Sequence, residues 1–177
     1  MKTFIENILS VWFTWLMYIN TVFIGKKYLY FIDIDNTLAH TYPSLLKQHP
    51  SERERLLNLP PHSNMIRLLK NSFNTKRKYI FISARSYKQY FTTVEWLKKQ
   101  GLPADLLNTI IVKTPQLKIS LIQKYYVKGK TIVIDDLTYN HEHGIVKYYQ
   151  QEIDQLQKLK IKHIGYSAIL KINRTKP

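Results

Sequence analysis

The 177-residue chain contains no cysteine, only five glycines and only 12 acidic residues against 27 Lys and Arg. The missing cysteine excludes a disulfide framework and every thiolate metal site, zinc ribbons and iron–sulfur clusters included; it fits a reducing compartment. So few glycines leave little room for a Gly-rich phosphate loop, and no Walker-type sequence occurs. The shortage of acids gives a formal charge of +15, which calls for a polyanionic neighbour: nucleic acid, an anionic membrane face or a phosphorylated substrate. With 45% hydrophobic residues the chain is not disordered, and its length suits one compact domain with perhaps one appendage.

Charge is also absent locally. Residues 1–25 carry only Lys2 and Glu6, and residues 8–24 (ILSVWFTWLMYINTVFI) carry none. As a helix those residues would reach roughly 25 Å, at the short end of a bilayer span. Asn7, Ser10, Thr14, Tyr18 and Thr21 recur every three or four positions and form a thin polar stripe on an otherwise apolar helix. Three settings suit such a helix: a membrane interface, a short span with a partner, or packing on protein. Membrane association through residues 4–24 is the favoured expectation. Lys26 and Lys27 mark the boundary; if the helix spans, they and the basic domain behind them favour a cytoplasmic C-terminal part, at the inner face of the membrane. The organisation expected is a hydrophobic helix at 1–25 and a folded domain at 26–177.

Beyond the boundary, apolar β-type runs alternate with helical patterns. Strands are expected at 28–34, 78–82, 109–112, 130–134 and 162–166, with a further short edge strand at 169–172. Helices are expected at 64–71, 87–100 (stopping at Gly101), 116–126 and 144–159, and the Pro-containing stretch 39–60 reads as loop with one short helix. This alternation indicates βαβ units, hence an α/β fold: a Rossmann-like three-layer sandwich around a parallel sheet of about five strands.

The polar residues of interest follow the strands. YLYFI runs into Asp33 and Asp35, KYIFI into Ser83, and KTIVI into Asp135 and Asp136. In open α/β sheets functional groups lie beyond the carboxyl ends of the strands. Clustered carboxylates there are costly unless a cation or strong hydrogen bonds offset them, and a hard divalent ion, Mg²⁺ the best match, suits oxygen donors. His141 and His143 lack further ligands and read as solvent-exposed.

The segments FIDIDNTL (31–38), FIS with Ala84 and Arg85, and IVIDD (132–136) resemble the first, second and fourth motifs of the haloacid dehalogenase (HAD) superfamily over residues 28–166. Asn36 stands where many members carry Gly. The resemblance implies a Mg²⁺-dependent phosphatase with Asp33 as nucleophile, forming an aspartyl-phosphate, and Asp35 as general acid and then base. It also implies Thr37, Ser83 and Arg85 around the phosphoryl group, Thr37 shaping the loop. Asp33, Asp135, Asp136 and the Asp35 carbonyl would hold the metal. The motif lysine is Lys118 or, as the alternative, Lys113. Only 47 residues lie between Asp35 and Ser83 and 34 between Ser83 and Lys118, too few for a cap domain. An open site with at most a flap at 39–60 suits a large substrate, or a small one shielded by a partner subunit in an oligomer. Two alternatives stand beside this reading. One is a nucleic-acid 3′-end phosphatase, which residues 83–102 also resemble. The other is a non-catalytic membrane-associated scaffold that binds phosphorylated partners.

Overall fold

A computed structural model describes residues 2–25, 27–159 and 161–174. In chain order the elements are α1 (Lys2–Val22), β1 (Tyr28–Ile32), α2 (Tyr42–Leu45), α3 (Glu52–Leu57), α4 (Ser63–Ser72), β2 (Arg77–Ala84) and α5 (Tyr90–Lys99). They continue with β3 (Thr109–Val112), α6 (Pro115–Tyr125), β4 (Thr131–Ile134), β5 (Thr138–Tyr139), β6 (Lys147–Tyr148), α7 (Gln150–Lys158), β7 (Lys162–Ile164) and α8 (Tyr166–Arg174). Five strands form one sheet in the order β3-β2-β1-β4-β7, every pair parallel. The fold is therefore α/β with a central parallel sheet covered by helices on both faces.

The two cores follow from the period-2 alternation of the strands. Leu29, Phe31, Ile80 and Ile82 face a layer formed with α1, α6 and α7, whereas Ile32, Tyr79 and Phe81 face a layer that includes α4, α8 and Trp96 of α5. Because both faces are covered, the central strands are apolar through their buried middles, such as Leu29–Ile32 and Tyr79–Ile82, which is why they read as continuous runs. Connections leave β1 toward β2 and β3 on one side and return to β4 on the other. The switch point lies between β1 and β4, where such sheets open a crevice.

Three expectations are corrected. Residues 169–172 are not an edge strand: Ile169 and Ile172 sit one turn apart in α8, packed on the core. The helix expected over 144–159 begins only at Gln150, because Gly144 adopts φ +76° to end a turn at 141–143 and residues 147–148 pair with 138–139 as a small antiparallel hairpin. Residues 39–60 contain two short helices rather than one, the second capped by the Ser51 side chain, which accepts a hydrogen bond from the Glu54 amide at 3.1 Å.

Helix α1 is an integral part of the sandwich on one side. Phe13, Leu16 and Met17 are fully buried, and Phe13 stacks on Tyr87 and meets Tyr90 edge-on. Burying three such side chains stabilises the domain by about 1.5–3 kcal/mol each. The Thr14 and Thr21 hydroxyls donate to the carbonyls of Ser10 and Met17, and Asn20 donates across to the Leu107 carbonyl at 2.6 Å. The stripe does not form one solvated seam, since Thr21 is buried. Among the described residues no helix is long and apolar enough to cross a membrane, which overturns the spanning reading. Lys26, half of the basic pair at the boundary, lies outside the described residues.

Candidate active site

The site is built at the β1–β4 switch point. Asp33 follows β1 directly, and its amide donates to the Ile134 carbonyl at 2.9 Å, so the sheet hydrogen bonding continues into the loop after β1. Asn36 then takes φ +54°, a left-handed conformation that Gly or Asn tolerates best. That accounts for Asn at this position, and its side chain accepts a hydrogen bond from the Tyr42 amide at 3.2 Å. After β4, Asp135 and Asp136 precede Leu137, which has φ +46° although it is neither Gly nor Asn. That strain is held by the Leu137 amide donating to Asp135 Oδ1 at 3.0 Å and by burial of its side chain.

Lys118 arrives from α6. Thr114 caps that helix, accepting from the Leu117 amide at 3.3 Å, and Pro115 occupies its first turn, which sets Lys118 one turn in and aimed at the strand ends. Its Nζ lies 2.8 Å from Asp33 Oδ1 and 2.7 Å from Asp135 Oδ2, with all three side chains at most 5% exposed. Lys113 points elsewhere, pairing with Glu6 of α1 at 2.6 Å.

Asp33, Asp135 and Asp136 each offer an oxygen, and these oxygens lie within 4.8 Å of one another. Burial pushes the Asp33 carboxyl well above the usual carboxylate range; Lys118 opposes this, while Asp135 and Asp136 add to it. Asp135 is likewise raised by burial, against Lys118. Buried oxygen-only donors carrying excess negative charge fit a hard divalent cation such as Mg²⁺. Asp136 is braced from the second side: Thr37 accepts from its amide and donates to Oδ1, both at 3.1 Å, and Thr138 donates to Oδ2. Thr138 is held in turn by His141 at 2.7 Å.

Asp35 is arranged differently. Its carboxylate is clamped by Arg85, with Nε and a terminal nitrogen each 2.6 Å from one oxygen, and it also accepts from Ser83 at 2.9 Å and Thr41 at 2.8 Å. Burial alone would raise this carboxyl, but the Arg85 charge and these hydrogen bonds outweigh it and hold Asp35 down to about 2. Ser83 and Arg85, expected on the phosphoryl group, thus rest on Asp35. The Asp35 side chain stands outside the carboxylate triad, and only its main-chain carbonyl could serve a metal.

All eight expected residues, Asp33, Asp35, Thr37, Ser83, Arg85, Lys118, Asp135 and Asp136, converge at one end of the sheet. Sequence reasoning missed Thr41 and Thr138, which carry no motif, and His141, which is buried while His143 is largely exposed. A cavity of about 170 Å³ opens over Asp33, Asp35, Lys118 and Asp135. It is large enough to admit a phosphoryl group together with water. A second recess shares Asn36 with it and is lined by His40, Tyr42, His62, His141 and Tyr166. There burial, with His40 nearby, holds His62 down to about 4. The chain between β1 and β2 supplies only α2, α3 and α4, and between β2 and β3 only a 3₁₀ turn and α5, so no separate layer covers the opening among the described residues.

No family model matches the chain, and no curated protein matches it in sequence. Among solved structures it is similar to a class C acid phosphatase from Bacillus anthracis determined with tungstate bound. The identity is 13% and the TM-score 0.49, over 97% of this chain and 90% of that one.

Proposed function

We propose that this protein is a divalent-cation-dependent phosphomonoester hydrolase of HAD type, working through an aspartyl-phosphate on Asp33. The observation that carries the reading is the pair of opposed environments two residues apart. Asp33 sits in a carboxylate cluster beside a buried lysine, and Asp35 sits in a guanidinium clamp. Two carboxyls whose surroundings push them in opposite directions are the usual mark of divided labour between nucleophile and acid–base.

In the proposed sequence, an Asp33 oxygen attacks phosphorus and the bond to the ester oxygen breaks. The departing oxygen takes a proton from Asp35. Water then attacks the phosphorus of the aspartyl-phosphate and gives its proton to Asp35, releasing inorganic phosphate and restoring the Asp33 carboxylate. Lys118 favours the ionised nucleophile and pairs with the incoming phosphate charge. A cation held by Asp33, Asp135 and Asp136 supplies charge neutralisation between nucleophile and substrate when bound.

The clamp on Asp35 fits this sequence if it is a resting state. A phosphate dianion entering the cavity competes with Asp35 for Arg85 and Ser83. As those donors turn to the phosphoryl oxygens, Asp35 loses the contacts that keep it ionised and rises toward the range in which it can carry a proton. Ser83 and Arg85 then serve the phosphate, and Thr41 stays with Asp35.

The test is a panel of sugar phosphates, nucleotides, phosphopeptides, 3′-phosphorylated oligonucleotides and an aryl phosphate, each with Mg²⁺ and with chelator. Mg²⁺-dependent release of phosphate, lost in Asp33→Asn, is expected. Inactivity of the wild type on every ester, or equal activity in that variant, would refute the proposal. A preference for the oligonucleotides would assign the enzyme to nucleic-acid ends.

A further inference from the structure

Helix α1 has two apolar faces. One is spent on the core. The other carries eight large hydrophobic side chains exposed by 41–70%, among them Phe4, Ile8, Val11, Trp12 and Trp15, and Phe23 just past the helix end is 76% exposed. Phe4, Ile8, Val11, Trp15, Tyr18 and Val22 follow one another at three- or four-residue steps, with Ile5 and Trp12 alongside, and form one broad continuous stripe. Glu6, the helix's acid, lies seven residues before buried Phe13, on the side of the helix away from the stripe, and pairs there with Lys113. A soluble surface rarely leaves so much contiguous apolar area on one element without a partner to cover it.

Cations meet this face where it ends. A recess of about 610 Å³ is shared by Trp15 and Ile19 of α1 with Lys27, Arg77 and Lys78, against one acid, Asp105. Arg77 is partly engaged, donating to the Ser72 carbonyl at 2.9 Å and lying over the Tyr30 ring. The two lysines are less well served. Burial and the Lys27 charge hold the Lys78 ammonium below its usual value, opposed by Asp105. Tryptophan beside an apolar stripe, with basic side chains at its margin, is the arrangement that seats a helix at the level of lipid headgroups.

We infer that the outer face of α1, with the Lys27–Arg77–Lys78 recess, docks the protein on the surface of an anionic phospholipid bilayer, lying in the interface without crossing it. The charge argues for this occupant over a second copy of the chain. Joining two molecules of formal charge +15 through this face would set like charges together, whereas an anionic lipid surface attracts them. The length and composition of α1 argue against insertion.

The experiment is flotation of the full chain with vesicles of phosphatidylcholine alone and of phosphatidylcholine mixed with phosphatidylglycerol, read together with tryptophan emission. Trp12 and Trp15 are exposed and Trp96 is buried, so a blue shift on binding reports the α1 face. Binding is expected to the mixed vesicles, with a blue shift and with loss as salt is raised. Val11→Ser with Trp15→Ser should weaken it about tenfold or more, and Lys27→Ala or Lys78→Ala about fivefold each. All these side chains lie at least partly outside the core, and circular dichroism checks that each variant folds. Should the serine pair unfold, the lysine variants still decide the matter. Failure to bind mixed vesicles, or equal binding to pure phosphatidylcholine, would overturn the inference. So would a dimer in sedimentation velocity that the serine pair dissociates, which gives the face to a second copy. Release of the vesicles by a single-stranded oligonucleotide would also overturn it, giving the cations to nucleic acid.

Discussion

Arg85 and Asp35 offer a quantitative check on the site's electrostatics. The guanidinium is 5% exposed and the carboxylate 29%, and two 2.6 Å contacts join them in a fork. Lowering Asp35 from its ordinary 3.8 to about 2 corresponds to about 2.5 kcal/mol of folded-state stability, at about 1.36 kcal/mol per pH unit. One-sided truncation of a buried pair costs about 3–5 kcal/mol, and partial exposure of Asp35 puts this pair at the low end. Arg85→Met and Asp35→Asn should therefore each destabilise the protein by about 3 kcal/mol in urea unfolding at neutral pH without metal. The double variant should cost clearly less than the two together, leaving a coupling of about 2–3 kcal/mol. The sign with pH follows from the depressed carboxyl: its contribution is complete above about pH 4 and is lost as pH falls to about 2. Wild type should lose that increment in acid and Asp35→Asn should not. A coupling below about 0.5 kcal/mol would refute the clamp.

Removing Lys118 (Lys118→Met) leaves Asp33 and Asp135 buried without their shared cation, so the metal-free protein should lose about 3–5 kcal/mol in thermal unfolding, with part of it restored by Mg²⁺. Saturating Mg²⁺, at about a hundredfold over its dissociation constant, should add about 2.7 kcal/mol and raise Tm by about 5–10 °C; Asp135→Asn should remove most of that shift. His62 is held down to about 4 in the folded state, so below about pH 6.5 the unfolded chain takes up a proton that the folded one refuses, and stability falls toward pH 4. His62→Gln should flatten that part of the urea-stability profile relative to wild type, and an unchanged slope would remove His62 as its source.

The sequence carried the fold well where burial left no ambiguity. Runs such as YLYFI and KTIVI are mostly buried, and their short, β-branched and aromatic apolar character between polar flanks marks interior strand. The acids at their ends stood out because the rest of the chain avoids acid. Short elements were harder to read. In α8, Ile169 and Ile172 are one helical turn apart, but four residues are too few to separate that spacing from a strand. The hairpin of β5 and β6 holds two residues a side and depends on positive φ at Asn140 and Gly144. The role of α1 was open because a helix that packs with one apolar face and exposes another has the same composition as one immersed in lipid. The clamp on Asp35 was not legible at all: Arg85 is 50 residues away in sequence, and only the sheet order sets β2 beside β1.

The central claim is that phosphoryl transfer passes through Asp33. Acid-quenching the enzyme during turnover of an aryl phosphate with Mg²⁺, followed by peptide mass analysis, tests it directly. The account predicts one phosphoryl group on the peptide holding Asp33, removed by hydroxylamine and absent in Asp33→Asn. Turnover with no labelled peptide, or with the label on another residue, would contradict it.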